Sequence, residues 1–321
     1  MIIRRLSVTA GICLLGVSTA VSAFIFEPGA GLGWQYSDNV ALTPDDEEAD
    51  WGAVAYLGGR LTEDGGPLTY NAAGTLTYQR YANKTFDDTT YFNLNARVNW
   101  EQIENRVNWL VDNFFTQSPI NSLGKDVPTN IENRNVFSIA PDFAFPYSSG
   151  HRFRLQPFFR DYYFEESNAD NQQYGLDAGW SYPLYPTMRV GVDARLTDVN
   201  YKDSDAASDY TRSELRGVVS GSRPHSEYTV DFGTSRISRD RGNDQSGFGG
   251  AATYRYQFTG FSSVRARVAT DLTDSSQTFF DSEVDPGAGN SNNVQTSGDT
   301  FRNNVFTLIY NRDDDTFDTR V

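Results

Sequence analysis

With 321 residues, a net charge of −15 and one cysteine, the chain has the length of two soluble domains or one sizeable barrel, and it has no disulfide framework. Its acidic excess argues against a nucleic-acid partner, because phosphate contacts call for a clustered basic surface and no basic-aromatic module occurs. The negative mean hydropathy argues against a helical membrane protein, but not against a transmembrane barrel, whose wet lumen and long loops dilute the apolar signal.

Arg4 and Arg5 precede an apolar run at 6–21, and Val21-Ser22-Ala23 offers small residues for cleavage. Residues 1–23 therefore read as a signal peptide cut between Ala23 and Phe24. The run is short for a membrane span of roughly 20 residues. Cys13 lies inside it behind Ile12 rather than a small residue, which argues against a lipid anchor. The mature chain is then free of cysteine and holds no thiolate metal site, as suits export through an oxidising compartment. No cofactor and no metal site is expected.

From Gly29 onward one unit recurs: a strand of about ten residues, a polar loop, a second strand and a tight turn. Leu32, Trp34 and Tyr36 open it, with Gly29, Gly31 and Gly33 easing strand curvature, and an acidic loop follows at 39–50. Trp51, Ala53, Ala55, Leu57 and Leu61 form the next apolar phase, and Asp64-Gly65-Gly66-Pro67 turns the chain. Leu68, Tyr70, Ala72, Leu76 and Tyr78 lead to a loop at 82–90. Phe92, Leu94, Ala96, Val98 and Trp100 lead to a turn at 102–105, after which Val107, Trp109 and Val111 resume. There the phase blurs, because Leu110 and Phe114 fall on the opposite face.

A longer loop at 118–133 precedes Phe137, Ile139, Phe143 and Phe145, and a turn at 146–150 leads to Phe153, Leu155 and Phe159. Pro141 and Pro157 predict a bulge or bend in these strands, since proline cannot donate to a ladder. The clearest hairpin follows. Tyr174, Leu176, Ala178, Trp180 and Tyr182 occupy alternate positions, and after a turn at 183–187 so do Met188, Val190, Val192, Ala194 and Leu196, while Asp177, Arg189, Asp193 and Arg195 take the other face. Beyond a loop at 202–209 come Leu215, Gly217 and Val219, a turn at 223–226, and Tyr228, Val230 and Phe232. After a loop at 239–246 come Phe248, Ala252, Tyr254, Tyr256 and Phe258, a turn at 259–262, and Val264, Ala266, Val268 and Leu272. The longest loop, at 273–299, precedes Phe306, Leu308 and Tyr310.

About fourteen strands thus alternate long acidic connections with short ones. A sandwich with crossovers has no reason to sort its connections by length, whereas a barrel assembled from the periplasm passes long loops outward and keeps short turns behind. The fold class is therefore all-β, a transmembrane antiparallel up-and-down barrel over residues 24–321. Aromatic placement fits two girdles: Trp100, Phe153, Trp180, Tyr182, Tyr256 and Phe258 beside short turns, and Trp51, Tyr91, Tyr163, Tyr174 and Phe248 beside long loops. The acidic stretch at 313–321 follows what should be a periplasmic turn, so either the barrel closes at the strand around Phe306 and leaves a short acidic tail or, the preferred reading, it lacks its final strands here and has 16 or more when complete.

The segment Tyr36-Ser37-Asp38-Asn39-Val40, after a leader and before an acidic loop and tandem strands with arginine-rich lumen phases, resembles the outer-membrane β-barrel family of exopolysaccharide and PEP-CTERM/exosortase loci. The resemblance implies an outer-membrane protein accompanying polysaccharide synthesis and export, and the expected function is a barrel forming or supporting a pore for exopolysaccharide export, with a general diffusion porin and a structural or adhesive barrel as the alternatives. It brings no catalytic residues.

All three lysines, Lys84, Lys125 and Lys202, fall in long loops. Arg60, Arg152, Arg154, Arg189, Arg216, Arg255, Arg265 and Arg267 fall in lumen phases close to short turns, a basic collar at the periplasmic mouth. Arginine forks bind carboxylates and phosphates, so the collar would attract an anionic solute or polysaccharide. Alternatively these arginines pair with Asp177, Asp193, Glu214, Asp231 and Asp271 and brace the wall. An enzyme is not expected, since His151 and His225 each sit at a short turn with no serine nucleophile in register. The expected partners are outer-membrane lipid and lipopolysaccharide, with an anionic polysaccharide or export machinery beside them.

Overall fold

The computed structural model describes residues 24–43, 46–121, 127–203, 208–274 and 300–312. The leader, its Ala23 cleavage position, Lys125, most of the longest loop and the stretch at 313–321 lie outside them, as does the question of further strands. In chain order the strands are Ile25–Ser37 (β1), Asp50–Glu63 (β2), Leu68–Tyr81 (β3), Thr89–Ile103 (β4), Val107–Pro119 (β5), Ile131–Pro146 (β6) and Arg152–Phe164 (β7). They continue as Asn171–Tyr185 (β8), Met188–Tyr201 (β9), Tyr210–Arg223 (β10), Ser226–Arg239 (β11), Gln245–Thr259 (β12), Ser262–Asp274 (β13) and Thr300–Arg312 (β14). All belong to one sheet, each paired antiparallel with its neighbours in sequence, and a single 3-10 turn at Pro128–Asn130 is the one helical element among the described residues. This is the up-and-down order expected. The wall is not closed: β1 and β14 are its two edges.

Register follows from the two-residue alternation. Leu176 pairs with Leu196, Ala178 with Ala194 and Trp180 with Val192, and Ala194 then meets Leu215 and Val192 meets Gly217. Asp177 pairs with Arg195, which meets Glu214 on its other side. A slip of one residue would exchange the two faces at once, so the pairing is strongly specified. The apolar row is the exposed one, with Leu196 53%, Leu215 56% and Phe232 63% accessible. An apolar row left this bare is opposite to the burial that stabilises a water-soluble domain.

The connections sort as expected. One end of the sheet carries turns at 64–67, 104–106, 147–151, 186–187, 224–225 and 260–261, and the other carries the longer loops. The exception is 240–244, no longer than 147–151, because β11 and β12 continue further into this loop than their apolar phases suggest. Likewise β1 starts at Ile25 rather than Gly29, and β8 runs to Tyr185, so the hairpin turn is only 186–187.

Pro141 and Pro157 produce no shift in register. The β6–β7 ladder pairs Arg134–Ile139 with Phe159–Phe164 and resumes at Phe143 and Leu155 in the same register, leaving the two prolines in the interval. Bulges lie instead beside short turns, between Glu101 and Ile103, Pro183 and Tyr185, and Gln257 and Thr259. Of the strand-opening glycines, Gly31 has a definite role: its inner face is covered by the Tyr56 ring of the paired strand, in space a side chain would fill.

Tyr91 and Leu272 depart from their expected faces, whereas Phe114 lies on the opposite face, where its phase puts it. Tyr91 pairs with Thr77 on the inner side, because its neighbour Phe92 takes the outer one, so it is not part of the outer girdle. Phe114 is buried inward with Val136, Tyr162, Phe164 and Ala169. Leu272, which shares a phase with exposed Val268, is buried with Val199, Tyr201, Tyr210 and Ile237. The β12–β13 ladder ends at Gly250 and Thr270, which frees the strand to turn there.

Candidate functional site

The inner face divides into three environments. Across β8–β13 it is charged. Arg195 donates to Asp177 through Nε at 2.6 Å and Nη2 at 2.8 Å, a two-point fork across neighbouring strands. Arg212 donates to Glu214 at 2.6 Å through Nη2, and Arg216 donates to Asp231 at 2.8 Å and to Asp271 at 2.6 Å. Asp271 also accepts from Arg212 at 3.2 Å. These last contacts reach from β10 to β13 over two intervening strands, so the sheet curls tightly here. A recess of about 350 Å³ remains between the charges, with Arg154, Asp193 and Glu214 among its walls.

At the loop end these strands turn apolar inside through the buried cluster around Ile237, and β5–β7 beside them do so through the cluster around Phe114. On the outer side at this end Lys202 lies 3.4 Å from Asp161. Glu132 clamps the 165–170 connection: its fully buried carboxylate accepts from Arg134 Nε at 3.0 Å and from the backbone N–H of Glu166 and Ser167 at 3.1 and 2.9 Å. Arg134 also stacks over Phe164, 5.4 Å from the ring centre.

The third environment is mostly uncharged. On β3 the inner positions are Thr69, Asn71, Ala73, Thr75, Thr77, Gln79 and Tyr81, with no charge among them, and β4 faces them with Asn93, Asn95, Arg97 and Asn99, of which Arg97 donates to Asp112 of β5 at 2.6 Å. Above this amide-rich wall lies a cavity of about 560 Å³ bordered by β1–β5 and the loops beside them.

The eight collar arginines are dispersed. Arg152, Arg154 and Arg189 share a recess of about 370 Å³ with Asp142 and Asp193, where Arg154 donates to Asp142 at 2.9 Å and Arg189 to the Ser181 hydroxyl at 3.3 Å. Arg255 lies directly opposite Arg265, and Arg267 follows two residues on. Among the described residues Arg255 and Arg265 make no ion pair. Arg60 sits opposite Glu27. Arg216 departs from the expected position near a turn: it is at mid-height in β10, held by three carboxylates. The sequence reading omitted Arg212, although Arg212, Glu214 and Arg216 alternate on one face, which is the signal that would have found it.

The histidines are apart. His151 accepts the Trp180 indole N–H at Nδ1, 3.1 Å away, and lies against Tyr182. His225 is in the 224–225 turn.

No protein-family model matches the chain, and no curated protein matches it. Among solved structures it is similar to OprD of Pseudomonas aeruginosa, at 11% identity and a TM-score of 0.32 over 89% of this chain and 83% of that one. It is also similar to OccAB3 of Acinetobacter baumannii, at 9% identity and a TM-score of 0.30 over 89% and 87%. For OccK2 (OpdF) of Pseudomonas aeruginosa, solved in complex with glucuronate, the values are 11%, 0.28, 78% and 80%. The functional reading rests on the sheet itself rather than on these neighbours.

Proposed function

We propose that the chain is an outer-membrane β-barrel channel of the general-diffusion type, and not an enzyme. The observation that carries this reading is a single up-and-down sheet with an apolar, exposed outer row and a polar inner row, its short turns gathered at one end. Lipid, with lipopolysaccharide in the outer leaflet, would cover the apolar row, and water would fill the polar side.

Hydrocarbon does not tolerate an open sheet edge, since each unpaired N–H and C=O is costly there. In the membrane the edges of β1 and β14 are therefore paired, either with each other or through further strands. The two run antiparallel, with Ile25 and Arg312 both at the short-turn end, so direct pairing and an even number of added strands both complete the wall.

The turn-end arginines give such a channel its selectivity. Arg255, Arg265 and Arg267 concentrate positive charge on adjacent positions and favour small anions. Passage of an exopolysaccharide has only the short segment at 36–40 in its support, and diffusion of small polar solutes is the reading preferred here.

Planar-bilayer recording tests the proposal. The purified protein is expected to give stepwise ohmic conductance with a reversal potential displaced toward anions, and Arg265→Gln with Arg267→Gln is expected to reduce that displacement. Absence of any conductance overturns the channel; an unchanged reversal potential overturns the role of the arginines.

A further inference from the structure

We propose that the cavity between β1, β3 and β4 at the loop end is a binding site for a neutral sugar. It rests on the reading that the inner face is wet, but not on whether the barrel conducts.

The argument is one of chemistry. An uncharged sugar presents hydroxyls that both donate and accept, along with C–H faces that lie well on aromatic rings. A complementary site supplies amides and hydroxyls, which do both, next to aromatic surface, and withholds unbalanced charge. The cavity has this composition. Gln35, Gln79, Asn93 and Thr77 offer amide and hydroxyl groups, and Tyr81 and Tyr91 offer rings. Among the described residues neither lysine nor arginine borders it, in contrast to the charged recess of β8–β13.

The one carboxylate that borders it among the described residues is already committed. Asp50 is buried and accepts from the backbone N–H of Trp51 at 2.6 Å, of Asn83 at 2.8 Å and of Thr85 at 3.3 Å, and from the Thr85 hydroxyl at 3.0 Å. It fastens the 82–88 loop to β2 rather than facing a ligand with free charge.

The wall is also shaped by backbone. A Cβ on Gly52 would stand 2.9 Å from the Gln35 side chain, so the glycine lets Gln35 lie against β2 at the cavity rim. Gln79 donates to the Tyr81 hydroxyl at 2.7 Å, and Asn93 accepts from the Thr116 hydroxyl at 3.1 Å, which fixes both amides while leaving each with further hydrogen-bonding capacity. The size of about 560 Å³ suits one or two sugar rings. Below it Asn95 and Asn99 flank Arg97, which is held by Asp112 at 2.6 Å.

The experiment is titration of the detergent-solubilised protein with maltose, and with sodium glucuronate as the charged counterpart, followed by calorimetry and by saturation transfer to the sugar protons. Maltose is expected to bind saturably and more tightly than glucuronate, with its dissociation constant raised about tenfold in Gln79→Leu with Asn93→Leu, the loss of two hydrogen bonds. Gln35→Leu, at an exposed position, gives a second reading if the pair fails to fold, and is expected to weaken maltose severalfold. No saturable maltose binding, tighter binding of glucuronate, or unchanged affinity in the folded variants overturns the site. A protein that conducts but does not bind maltose loses the site and keeps the channel; one that binds but does not conduct does the reverse.

Discussion

The inner faces of β2–β4 and of β8–β13 are built from the same alternation and end as opposite surfaces. On β3 the inward positions are hydroxyls, amides, one alanine and one tyrosine, Arg97 of β4 is paired off with Asp112, and the cavity above them stays open. On β10 the inward positions Arg212, Glu214 and Arg216 bond to one another and across to β13, which draws that arc tight. The difference teaches that an arginine in a lumen phase is not by itself a ligand site. Where carboxylates lie within reach it becomes a strut, and the surface left for solutes is found where charge is absent or unopposed.

The largest effect is expected from breaking the braced side. Glu214→Ala leaves buried Arg212 without its 2.6 Å partner and Arg216 with one carboxylate fewer. Uncompensated burial of charge costs about 3–5 kcal/mol. The readout is the denaturant midpoint for loss of the compact band on unheated SDS gels. Ile237→Ala comes next, hollowing the apolar cluster above the network at about 2–4 kcal/mol in the same assay. Asn95→Ala on the neutral side is expected to move that midpoint by under about 0.5 kcal/mol, as at an unpacked surface. A cost on the neutral side equal to that on the braced side would erase the contrast.

The smallest effect concerns the 240–244 loop. Asp244 accepts from Arg236 at 2.9 Å, and from Ser238 and the Arg239 N–H, and its carboxyl is held below the usual 3.8 chiefly by the Arg236 hydrogen bond. A folded-state value below the unfolded one means the contribution is present at neutral pH and fades only as pH falls through the acidic range below about 3.8. Asp244→Asn is therefore expected to raise loop cleavage by protease slightly at pH 7, with no change in the unfolding midpoint.

Much of the sheet was legible because membrane and soluble strands share a period of two. The Tyr174–Leu196 hairpin fixed its faces, and the sorting of connections fixed which ends lie together. Tyr91 was misassigned to the outer girdle although the alternation corrects it, since placing Phe92 outward puts its neighbour inward. The cluster that Phe114 joins and the inward turn of Leu272 were not legible: an inward apolar residue in one strand reads the same as a slip of phase, and only neighbours from other strands decide. The Arg216–Asp271 contact was beyond reach for a related reason. It spans 55 positions and depends on curvature, which no local pattern encodes. The neutral cavity was overlooked because asparagine and threonine carry no charge signal, although their run along β3 and β4 was in view.

The account is tested most directly by a nitroxide scan over β10 and β11 in liposomes, with Cys13 replaced by serine and single cysteines placed from 215 to 219 and from 228 to 232. Collision with dissolved oxygen should peak at Leu215, Val219, Val230 and Phe232, and collision with a water-soluble nickel chelate at Val218, Thr229 and Asp231. Equal access of the chelate to both sets of positions would contradict a sheet with lipid on one face and water on the other.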